Sequence, residues 1–73
     1  MSESERQERF KRVASVRVQK VLYELRRLSK CSNTSNYVYT EQEVRKMWRA
    51  IDDEIRICKA AYKKNNKNGR FTF

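Results

Sequence analysis

The stretch Lys30-Cys31-Ser32-Asn33-Thr34-Ser35-Asn36-Tyr37-Val38-Tyr39-Thr40-Glu41-Gln42-Glu43 decides the architecture, because it holds a helix stop and a helix start within fourteen residues. From Ser32 to Asn36 every side chain is short and polar. Such side chains compete for the backbone's hydrogen bonds and so favour turns over helix. Tyr37-Val38-Tyr39 then alternates as an extended segment would. Thr40-Glu41-Gln42-Glu43 has the form of a capping box, in which the Thr hydroxyl accepts from the Glu43 amide and the Glu43 carboxylate accepts from the Thr amide. Tyr39 and Val44 flank the box as a hydrophobic staple.

Working outward toward the N-terminus, Phe10, Ala14, Val18, Val21, Leu25 and Leu28 recur at spacings of 4, 4, 3, 4 and 3. This is one apolar stripe on an α-helix, and it predicts a first helix over about residues 3–29. Val13, Val16 and Leu22 lie off the stripe, so this apolar face is wider than a coiled-coil seam and can serve two neighbours. Toward the C-terminus, Val44, Met47, Trp48, Ile51, Ile55, Cys58 and Tyr62 fall at spacings of 3, 1, 3, 4, 3 and 4. They predict a second helix over about residues 41–63, with Glu41–Arg45, Arg49–Asp53 and Asp52–Arg56 as supporting i,i+4 pairs. Residues 64–73 have no apolar period and read as a flexible basic tail, ending in Phe71-Thr72-Phe73.

Two long helices joined by a connection at residues 30–40 predict an all-α fold, an antiparallel helical hairpin over residues 1–63. Of the 73 residues, 38% are hydrophobic and 37% charged, which is too little apolar area for a deep core at this size. A partner is therefore expected. We expect dimerisation into a four-helix arrangement through Val18, Val21, Leu25, Leu28, Met47, Trp48, Ile51 and Ile55. Trp48 lies on the same stripe as Val44, Ile51 and Ile55, which favours packing over a role in stacking on bases.

The chemistry that this composition excludes narrows the function. There is no His in the chain, no Gly-rich phosphate loop and no nucleophile beside an evident base, so we expect no enzyme activity, cofactor or metal. Asp52, Asp53 and Glu54 are consecutive on a helix and point in different directions. Two cysteines, Cys31 and Cys58, are read as reduced thiols. In a hairpin they would stand about 27 Å apart along the second helix, far beyond the roughly 7 Å that a disulfide tolerates. No apolar run approaches the ~18 residues of a membrane span, and residues 1–9 are charged. We expect a cytoplasmic chain with no membrane partner.

Charge points to a partner class. With 18 Lys and Arg against 9 Asp and Glu, the net charge is +9 and the isoelectric point about 10.0. The excess is concentrated, because residues 11–30 carry +6 and residues 63–73 carry +4, while the second helix mixes signs. A surface built only for solubility intersperses both signs, whereas a one-signed basic surface is the footprint of a protein that meets phosphates. The candidate nucleic-acid contacts are Lys11, Arg12, Arg17, Lys20, Arg26, Arg27 and Lys30 on the first helix, with Lys63, Lys64, Lys67 and Arg70 at the C-terminal end. Tyr23, Tyr37, Tyr39 and Tyr62 are aromatics available for stacking on exposed bases.

Cys31-Ser32-Asn33, Ser35-Asn36-Tyr37, Tyr39-Thr40, Glu43-Val44 and Trp48-Arg49-Ala50-Ile51 together resemble small, basic, mostly uncharacterised helical proteins of phages, plasmids and conjugative elements of Gram-positive bacteria. The resemblance covers roughly residues 10–60. It implies a helical hairpin and a mobile-element setting, and it transfers no catalytic residue. Two functions fit that setting. One is a nucleic-acid-binding accessory or regulatory protein, contacting DNA or RNA. The other is an inhibitor that docks on a host protein–nucleic acid complex, such as an anti-CRISPR or other counter-defence protein. Mimicry of DNA is excluded by the sign of the charge. Helix-turn-helix reading is disfavoured because that motif joins shorter helices through a shorter turn.

Overall fold

The computed structural model describes residues 2–65, which form two α-helices and no strand. The first, α1, spans Glu3–Lys30, and the second, α2, spans Glu41–Asn65. The all-helical expectation is met among the described residues. α1 with the turn that follows it, through Val38, is one compact unit, and α2 with its cap, from Tyr39, is another.

α1 starts on a capping box that the periodicity alone did not locate. The Glu5 amide donates to Ser2 Oγ at 3.1 Å and the Ser2 amide donates to Glu5 Oε1 at 2.9 Å. Two of the helix's orphan donors are thereby satisfied reciprocally. Glu3 and Glu5 in the first turn and Arg27 and Lys30 in the last complement the helix dipole at both ends.

The helix ends without a glycine. Cys31 stays in the right-handed region, at φ −73° and ψ −6°, and its amide donates to the Leu28 and Ser29 carbonyls. Ser29 Oγ donates to the Arg26 carbonyl at 2.6 Å and Ser32 Oγ to the Ser29 carbonyl at 2.7 Å. The Leu28, Ser29 and Lys30 carbonyls, which the last turn leaves without α-helical partners, thus accept from the amides of Cys31, Ser32 and Asn33, and the two serine hydroxyls bond in addition. The turn closes on Asn33, whose Oδ1 accepts from the Ser35 amide at 2.9 Å. Its carbonyl accepts from the amides of Asn36 at 3.1 Å and Tyr37 at 3.0 Å.

The Thr40 capping box forms at the start of α2. The Glu43 amide donates to Thr40 Oγ1 at 3.1 Å and the Thr40 amide donates to Glu43 Oε1 at 2.8 Å. At the other end α2 runs two residues past the expected stop at 63, so Lys64 sits with Lys63 in its last turn and not in a tail. The reason is local. Asn65 Nδ2 donates to the Ala61 carbonyl at 3.0 Å, and cations in a last turn are favourable to the dipole. Of the tail expected over residues 64–73, residues 66–73, with Lys67, Arg70 and Phe71-Thr72-Phe73, lie outside the described residues.

Among the described residues none is buried. Val13, Ala14 and Leu28 on α1, and Val44, Met47 and Ile51 on α2, are half-buried. What specifies these helices is therefore propensity, capping and amphipathic pattern. The apolar area that would stabilise them by burial is still open to solvent.

Candidate nucleic-acid interface

All seven candidate cations of α1 are exposed, but the helix does not put them on one side. At about 100° per residue, Arg12, Lys20, Arg26, Arg27 and Lys30 fall within an arc of roughly 120°. The structure brings these five together. Lys11 and Arg17 fall on the other side, Arg17 within the sector that carries Phe10, Val21 and Leu28. One residue of the arc escaped the sequence reading, namely Arg9, whose charge is masked in composition by Glu3, Glu5 and Glu8. The helical period was the signal that could have found it.

Glu5 and Glu8 fall at the angles of the arc in the first two turns, and past Glu8 the arc is one-signed. Past Glu8, α1 contains a single acid, Glu24, whose two carboxylate oxygens each lie 3.3 Å from Arg27 Nη1. Both side chains are about three-fifths exposed, so this ion pair orients Arg27 more than it stabilises the helix. The Arg27 guanidinium also lies over the Tyr23 ring, 5.9 Å from its centroid. Arg27 is thus held between a carboxylate one turn back and an aromatic ring four residues back. Tyr23 belongs at the centre of the cationic arc, and Val16 lies beside it at the same helical angle within about 20°.

α2 carries its charge differently. Arg45 Nη2 is 3.4 Å from Glu41 Oε1, which is the expected i,i+4 pair. Arg56 pairs with Asp53 and not with Asp52, and Asp53 is thereby taken from Arg49. Helical side chains lean toward the N-terminus, so the Arg56 guanidinium reaches back over a turn that offers both aspartates, and one guanidinium settles on one of them. Of the remaining candidates, Lys63 and Lys64 close α2, while Lys67 and Arg70 lie outside the described residues.

The residues expected at an interface divide similarly. Leu28, Met47 and Ile51 are half-buried, whereas Val18, Val21, Leu25, Trp48 and Ile55 remain exposed, Trp48 by 45%. On α2 the whole stripe from Val44 to Tyr62 fits within roughly 100° of arc, the width of one contact seam.

One titration is perturbed among these groups. The Ser2 amide, and secondarily the Ser2 hydroxyl, hold the Glu5 carboxyl below the usual glutamate range by hydrogen-bonding its charged form. Cys31 and Cys58 are free and exposed, and no group of three or more His, Cys, Asp or Glu among the described residues could hold a metal ion. No helix among the described residues is long and apolar enough to cross a membrane.

No protein-family model, no curated protein and no solved structure matches the chain.

Proposed function

We propose that this chain is a small, non-enzymatic nucleic-acid-binding accessory or regulatory protein of a mobile genetic element, acting in the cytoplasm. The observation that carries this reading is the arc of α1 past Glu8, one-signed along its length, in which Arg12, Lys20, Arg26, Arg27 and Lys30 share one exposed side with Arg9. Arginine predominates there, and a guanidinium suits bidentate contact with phosphate better than an ammonium does. The mobile-element setting rests on the resemblance of the connection and the start of α2.

In this proposal the two helices fold back as an antiparallel hairpin, and two copies join along the Val18, Val21, Leu25, Leu28, Met47, Trp48, Ile51 and Ile55 stripes. The physical support is the exposed apolar area, since small helical units commonly hide such stripes by association. Sedimentation equilibrium measures it directly: a monomer at every concentration removes the dimer from the proposal.

The test of function is a titration of labelled duplex DNA, single-stranded DNA and RNA at about 50 and 200 mM salt. A protein engaging six or more phosphates loses about a thousandfold or more in affinity across that range. Salt-insensitive or absent binding overturns the reading. It would turn attention to the inhibitor that docks on a host protein–nucleic acid complex, for which half-exposed Trp48 on a narrow apolar stripe would be the anchor.

A further inference from the structure

Resting on the nucleic-acid reading, the geometry of α1 points to the polymer: we propose that its cationic arc takes unpaired strands, with Tyr23 as a stacking platform for a base. Tyr23 stands at the centre of the arc, not on the apolar stripe, and it is 57% exposed. The apolar stripe of α1 does not account for a ring in that place. Its neighbours three and four residues away are Gln19, Lys20, Arg26 and Arg27, so a ring brought against nucleic acid here has phosphate-binding groups one turn to either side.

The second observation is how Arg27 is held. Its guanidinium lies over the Tyr23 ring at 5.9 Å while its Nη1 is bonded by both oxygens of Glu24 at 3.3 Å. One face of the ring is thus taken by a cation, which leaves the other as the stacking surface. A base placed there completes a layered arrangement of guanidinium, ring and base, and each layer is attracted to the next. A duplex has nothing to offer this platform, because its base faces are already stacked on one another and its grooves present edges only. A single strand offers both parts, bases with free faces and phosphates within reach of Arg12 and Lys30.

The test compares labelled oligo(dT) and oligo(U) with a mixed-sequence duplex, using the full chain and the variants Tyr23→Ala, Tyr23→Leu and Tyr23→Phe. Ala and Leu are strong helix formers, and far-ultraviolet circular dichroism checks that the helices persist. Tyr23→Ala and Tyr23→Leu are expected to lose about tenfold or more for the single strands, with duplex binding unchanged, and Tyr23→Phe to keep the affinity of the unaltered chain. Equal losses on single strands and duplex, or no loss on either, would overturn the stacking platform while leaving the nucleic-acid reading standing. If the unaltered chain binds none of the three polymers, both fall together.

Discussion

α1 and α2 are nearly equal in length and built from similar residues, yet they dispose of charge in opposite ways. α1 has nine Lys and Arg against four acids, three of which crowd its first two turns as Glu3, Glu5 and Glu8. α2 has seven against five, distributed along it, and two of those acids, Glu41 and Asp53, take an arginine each. The apolar faces differ as well. That of α2 is a narrow seam, whereas that of α1 spreads over roughly half the helix and admits Arg17. A helix with a narrow seam and balanced charge is suited to lie against one apolar neighbour. A helix with a broad face and a one-signed back is suited to meet a neighbour on one side and a polyanion on the other.

Removing the same charge from each helix should have the largest effect. Arg12, Lys20, Arg27 and Lys30 changed together to Gln should lower the slope of log affinity against log salt by about four. The matching change of Arg45, Lys46, Arg49 and Arg56 on α2 should alter that slope by less than about one. Both variants have the same net charge, so equal effects would mean that the total charge matters and its placement does not.

A smaller effect separates the caps. Thr40→Ala removes the hydroxyl that accepts from the Glu43 amide and should cost about 1 kcal/mol, seen as faster amide exchange in the first turn of α2. Exchange in α1 should be unchanged, because a cap acts on its own helix. Loss of protection in both helices would show that the two units open as one.

The smallest effect concerns pH. The Glu5 carboxyl is held low by Ser2, so the folded form binds its proton less readily than the unfolded form does. Its contribution is complete above the ordinary glutamate value of about 4.3 and is lost as the pH falls through the lowered one. Amide exchange at the start of α1 should therefore quicken in that acid window. Glu5→Gln should abolish the pH dependence there and leave the rest of the chain alone, whereas Ser2→Ala, which keeps the amide, should only weaken it.

Much of this molecule was legible because its determinants are local. The stop at Ser32 to Asn36 and the box at Thr40 and Glu43 act within a few residues of backbone, and the structure forms both as hydrogen bonds. The Ser2–Glu5 box was equally local but went unread because its serine precedes any apolar periodicity. Asn65 as the support for the last turn of α2 was missed for the opposite reason: asparagine in a polar run reads as a breaker, and only its bond to the Ala61 carbonyl shows it extending the helix. The candidate site was legible as a set of cations and illegible as a surface. Lys11 and Arg17 count equally with Arg12 and Arg27 in any charge sum, and only the helical angle separates them.

Residue order alone sets the connection between the two helices, the cap that starts α2 and the repeat of apolar and charged residues, because turn chemistry, capping and period are set by neighbours along the chain. What only the folded structure decided is which partner each versatile group takes. Arg27 rests on Tyr23 and Glu24, Arg56 chooses Asp53 over Asp52, and Tyr23 and Trp48 stay open to solvent among the described residues. Those outcomes depend on rotamers and on what covers a surface, and neither is encoded in spacing alone.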